Sequence, residues 1–182
     1  MTLKNTPQRY GAVAQLLHWT VVVLILVQFF LANKAENTPL PAKIGVLAQH
    51  KSVGLTIFAL AVLRLLWRLA NPVPQLPTDT PRWQRIGAHI SHYALYALIL
   101  ITPLLGWMMS SARNFSVSWF GLFTLPDLVQ PDRAKYDTFH LLHVTLARTM
   151  ACIALLHAAA ALKHHFFDKD NVLRRMLPMK LK

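Results

Sequence analysis

Nine histidines interrupt a chain that is 54% hydrophobic and only 14% charged. Imidazole is costly in hydrocarbon, so a histidine inside an apolar run is a functional candidate by default. His143 and His157 are fourteen residues apart. At 100° per residue this is within about 40° of a whole number of turns, so the two rings share one helix face, about 21 Å apart along the axis. His18 and His50 lie in earlier apolar runs, at depths that match His157 and His143 respectively. Two imidazole pairs stacked across a helical bundle can hold two haem irons, each with one ring above and one below. Small residues at Gly54, Ala147 and 158–161 leave room for a porphyrin's bulk. Zinc fits less well, because its ligands gather three or four at one point. His89 and His92, at i and i+3, are alternative ligands on a shared face, equally suited to an interfacial role.

These positions require long apolar helices. About 20 residues at 1.5 Å rise cross a ~30 Å hydrocarbon core. Four stretches pass, predicting helices over about 10–33, 44–69, 84–111 and 138–166, in one membrane-embedded domain of all-α class over residues 1–182. Pro103 falls inside the third, where neighbouring helices can re-satisfy the backbone. The first stretch is too long for a signal-peptide core and contains His18, so it reads as a retained span. The four-proline segment 71–81 cannot continue a helix and reads as a connector. Residues 116–125, SVSWFGLFTL, read as an aromatic segment at the membrane interface.

Charge then sets the orientation. Lys and Arg total 19 against 7 Asp and Glu, a formal net charge of +12. The basic residues form short clusters between apolar runs and make no face for a nucleic-acid backbone, so nucleic acid is excluded as a partner. One side holds Lys4, Arg9, Arg64, Arg68, Arg82, Arg85, Lys163, Lys169, Arg174, Arg175, Lys180 and Lys182. The other holds Lys34, Lys43, Lys51, Arg113, Arg133 and Lys135, with Arg148 inside the fourth span. This two-to-one bias predicts both termini in the cytoplasm. On the outer side, Glu36, Asp127, Asp132 and Asp137 leave a surplus of two positive charges, a weak field for steering anions. The single cysteine, Cys152, excludes a disulfide framework and reads as a small core residue.

The chain resembles the bacterial cytochrome b561 family. The resemblance rests on LLHW in the first helix, QHKSVG and VLRLLWRL in the second, and GAHISHYALYALILITPLLG in the third. Its most specific part is HVTLARTMACIALLHAAAALKHHFFDKDNVLRRMLP, and it covers residues 10–178. It implies a four-helix cytochrome of the bacterial inner membrane with two b haems, the stand-alone type in which electrons from superoxide reduce ubiquinone. His18 and His157 would then bind the cytoplasmic-side haem iron, and His50 and His143 the periplasmic-side iron. His164 would stand at the quinone site.

Lys51, Arg113, Lys135 and Arg148 are candidates to neutralise haem propionates or attract an anion. Arg148 departs from a small amide residue found in some members. The partners expected are the lipid bilayer, a quinone and a small periplasmic donor such as superoxide. Two other readings are a haem-b anchor for a dehydrogenase or hydrogenase, and a non-redox carrier of metal ions or protons.

Overall fold

The computed structural model describes residues 2–77 and 80–178. Lys180 and Lys182, counted above toward orientation, lie outside the described residues. Four helices follow in order: α1 (Ala12–Glu36), α2 (Ala42–Leu69), α3 (Arg82–Ala112) and α4 (Arg133–Phe166). All four are long and apolar enough to cross a membrane. Between α3 and α4 lies a two-stranded hairpin, β1 (Ser118–Trp119) and β2 (Phe123–Thr124), and after α4 a 3₁₀ turn (Arg174–Met176).

Local chemistry explains the boundaries. Pro81 starts α3 where its missing N–H costs nothing. Asp132 caps α4 by accepting from the Lys135 N–H at 3.1 Å, so the helix begins five residues before position 138. That N–H, with the Lys135 charge behind it, holds the Asp132 carboxyl below the usual range. Pro103 sits within α3 without ending it.

The helices pack in sequence, α1 on α2, α2 on α3 and α3 on α4. Val21 and Leu31 of α1 meet Val46, Val53, Ile57 and Ala61 of α2, with Ile99 of α3 and Met150 of α4 closing the core. Leu16, Val23, Leu26, Leu155 and Leu156 face outward, as a lipid-facing surface requires. Cys152 is exposed on that surface, which corrects its reading as a core residue. It stands about 180° around α4 from His143.

The aromatic segment forms the hairpin and is fastened to α2. The Phe120 N–H donates to Ser52 Oγ at 3.0 Å, and Trp119 Nε1 donates to Thr56 Oγ1 at 3.0 Å. Gly121, at φ 75°, takes the left-handed conformation the turn needs. At the opposite end the chain termini and the α2–α3 connector are tied together. Asn5 Nδ2 donates to the Pro72 carbonyl at 3.0 Å, Arg9 Nη2 to Leu177 at 2.8 Å and Trp19 Nε1 to Met176 at 2.8 Å.

Candidate haem-binding centre

Two imidazole clusters lie at two depths of the bundle. In the one nearer the hairpin, called outer after the orientation expected from charge, the His50 and His143 ring centroids are 6.2 Å apart. Two glycines admit the side chains around these rings. Gln28 of α1 donates to the His50 carbonyl at 3.0 Å, over Gly54, where a Cβ would lie 3.1 Å from Gln28 Nε2. Gly106 of α3 makes room for His143: a Cβ there would lie 3.0 Å from His143 Cε1. His143 Nδ1 stands 2.9 Å from the Thr102 carbonyl. A carbonyl only accepts, so Nδ1 carries the proton and Nε2 keeps its lone pair for a metal.

The inner cluster is larger. The His92 and His157 centroids are 5.1 Å apart, edge to face. His18 lies within electrostatic range of His157, His92 and Arg64, and its own ring packs on Trp19 at 5.1 Å. His92 is thus the ring packed on His157, with His18 in electrostatic range of both.

The donor set suits haem iron. His18 and His50 each bury a ring nitrogen, Nδ1, that has no hydrogen-bond partner, a costly arrangement unless the site takes a further group. Along α4, Ala147, Ala151, Ala154, Ala158 and Ala161 fall within about 80° of the His143 direction, a column of small side chains beside both histidines. Ala159 and Ala160 are exposed on other faces. Neutral imidazoles, apolar small neighbours and unpartnered nitrogens fit a porphyrin with axial histidine ligation.

The basic residues divide differently from expectation. Lys51 Nζ reaches the Ser116 carbonyl at 3.2 Å and lies 5.6 Å over the Phe115 ring, beside the outer cluster. Arg113 and Arg133 stack on Tyr136 at 4.8 and 5.6 Å, and with Asn114 and Asp132 they border an outer cleft of about 330 Å³. Lys135 is held by Asp132 at 3.8 Å. Arg148 is exposed and about 140° around α4 from His143, so the structure does not bring it to the outer histidines.

Sequence reasoning missed Arg64, which joins the inner cluster. The signal was available: Arg64 follows His50 by the same fourteen residues that separate His143 from His157, with Gly54, Ile57 and Ala61 buried between them. Arg64 and Arg68 both lie over Tyr96, at 5.5 and 5.8 Å. His89 and His140 are exposed, the latter stacked on Tyr136.

His164 continues the α4 histidine face, two turns and about 10 Å beyond His157. Its Nδ1 is 2.6 Å from Asp170 Oδ2 and 3.2 Å from Asp168 Oδ2. The three ligand atoms lie within 4.8 Å of one another, but Lys163 already supplies a cation there, 2.7 Å from Asp168. The neighbouring His165 buries an Nδ1 with no partner.

Membrane-spanning helices with paired imidazoles at two depths place the protein in the class of membrane b-type cytochromes, which bind haem and pass electrons. The chain belongs to the prokaryotic cytochrome b561 family, whose pattern it matches over residues 9–179. It is 34% identical to cytochrome b561 homolog 2 of Escherichia coli, over 97% of this chain and 95% of that protein. It is also 30% identical to the probable superoxide oxidase CybB of Yersinia pestis, over 95% of this chain and 98% of that one.

Proposed function

We propose that the chain is a di-haem b cytochrome of the bacterial inner membrane that oxidises superoxide to oxygen on the periplasmic side and reduces ubiquinone near the cytoplasmic side, with both termini cytoplasmic. The observation that carries this reading is the α4 face itself: His143, His157 and His164 lie in line, each beside a separate cluster. His50 and His143 would hold the outer iron, and His18 and His157 the inner one, with His92 packed against the pair. Bound haem would supply one-electron chemistry at each depth.

The remaining work falls to protein groups. His143 is oriented through Thr102, and Arg64 offers positive charge to propionates on the inner side. Among the described residues no carboxylate lies within ion-pair distance of Arg113, so its charge is free to favour an anionic donor at the outer cleft. Two superoxide ions would give two electrons and two oxygen molecules. One quinone would take both electrons and two protons. An imidazole at the aqueous end of α4 suits that proton transfer, which supports His164 in that role.

A second reading, a haem-b anchor for a dehydrogenase or hydrogenase, draws support from Phe120, Leu122 and Phe123, which are exposed on the outer hairpin. A soluble subunit co-purifying with the chain, with no activity in the chain alone, would favour it.

The test is His164→Ala in the purified, haem-loaded protein. Both haems should remain and the donor should reduce them at the normal rate, while reduction of a soluble ubiquinone analogue falls about 100-fold, the scale of a lost general acid. Loss of haem would make His164 a ligand and overturn its assignment. Failure of superoxide to reduce the haems in stopped flow would remove superoxide as donor.

A further inference from the structure

The chain does not run straight into solvent after α4. The N–H groups of Phe167 and Asp168 both donate to the Lys163 carbonyl, and Lys169 then adopts a left-handed φ of 53°. This reverses the chain, so that the Asp170 N–H donates to the His164 carbonyl at 3.1 Å. The Asp170 side chain is fixed at both oxygens. Oδ1 accepts from the Val172 N–H at 2.9 Å, and Oδ2 faces His164 Nδ1 at 2.6 Å. The His164 and Asp170 side chains are 12% and 19% exposed, so water competes little for this contact.

Carboxylate oxygens only accept, so the nitrogen between Asp170 and Asp168 carries a proton. Nε2 is then the nitrogen left for a ligand. Of the two acids, Asp168 is neutralised by Lys163 at 2.7 Å, which leaves Asp170 as the negative charge committed to the ring. Among the described residues, the charged groups in ion-pair contact with the imidazole or with its carboxylates are Lys163, Asp168 and Asp170.

We propose that Asp170 is a positioning residue for quinone reduction, holding His164 in the Nδ1–H form so that Nε2 performs the proton transfer. This rests on the reading of His164 as a quinone-site residue. In each transfer the Nε2–H bond of the doubly protonated ring breaks and an O–H bond forms on a quinone oxygen. The accompanying electron would come from a haem held by His18 and His157; the ring is left neutral with its proton on Nδ1, and Nε2 regains a proton from the aqueous phase. Two such transfers complete the quinol. Asp170 balances the positive charge of the ring and prevents the opposite tautomer.

Asp170→Asn tests this cleanly. Asn keeps Oδ1 for the Val172 N–H but sets an NH₂ group against Nδ1, which favours the neutral ring's proton on Nε2, against only the longer 3.2 Å contact to an Asp168 carboxylate already paired with Lys163. The experiment uses haem-loaded full chain with ¹⁵N-labelled histidine, the His164 signals being those lost in His164→Ala. The expected wild-type spectrum has a protonated Nδ1, and Asp170→Asn has a protonated Nε2. With a soluble ubiquinone analogue, kcat should fall about 100-fold and KM should change little. Haem spectrum and donor-side reduction should be normal, and Asp170→Glu should recover part of the rate.

A wild-type Nε2–H tautomer would overturn the proposal, and that readout stands even where Asp170→Asn fails to fold. So would normal turnover in Asp170→Asn when His164→Ala has lost it. Normal turnover in His164→Ala would overturn the quinone-site reading itself, and the proposal with it.

Discussion

His157→Ala is expected to lose the inner haem and keep most of the outer one, so that haem per chain falls by about half. His157 contributes the α4 side of the inner cluster: its ring lies 5.1 Å from His92 and within electrostatic range of His18. Without it the inner haem would lack one of its two imidazoles, which alanine cannot replace. The outer cluster is about 21 Å away and uses different side chains, so His50 and His143 should still bind. A reduced-minus-oxidised spectrum with a haem assay reads both quantities. Equal loss of both haems would contradict the assignment of ligands by depth. The same assay separates His18 from His92: His18→Ala should behave like His157→Ala, and His92→Ala should retain the inner haem.

Gly106→Val is expected to remove the outer haem while sparing the inner one, the mirror image of the first result. A Cβ at Gly106 would stand 3.0 Å from His143 Cε1 and 3.1 Å from Nδ1, closer than carbon atoms ordinarily approach. The imidazole cannot give way freely, because Nδ1 is held at 2.9 Å by the Thr102 carbonyl. Alanine should weaken outer-haem binding in part, and the branched valine should abolish it. Replacing glycine by alanine within a helix favours the backbone by about 1 kcal/mol, so lost haem in a folded Gly106→Ala protein reports the displaced ring. Full outer-haem content in Gly106→Val would contradict the proposed role of His143.

Much of this arrangement was legible from periodicity. Four apolar runs announce four helices, because a spanning helix must keep its polar backbone satisfied internally and its surface apolar. The fourteen-residue interval from His143 to His157 places both rings on one face without any knowledge of neighbours. What periodicity could not tell was which partner each ring meets. His92 packs on His157 and His18 lies within electrostatic range of both, which is a tertiary fact.

Other features escaped for physical reasons. Arg64 reads in sequence only as one of the basic residues that set the orientation, although its spacing from His50 carries a further message. Asp170 has no signal in the sequence, because no local pattern announces a left-handed Lys169, where the side chain tolerates a conformation normally left to glycine. The hairpin of Trp119 and Phe123 is too short for a strand period, and its hold on α2 comes from Ser52 and Thr56, polar residues more than sixty positions earlier. By residue type alone Cys152 reads as a core residue, whereas its angle from His143 turns it toward lipid.

The central claim is that one face of α4 serves two separate redox centres. Its most direct test is the haem-to-protein ratio of the purified chain, measured with a redox titration of the reduced-minus-oxidised spectrum. The account predicts two b haems per chain titrating as two one-electron components. A single haem, or a colourless protein, would contradict it.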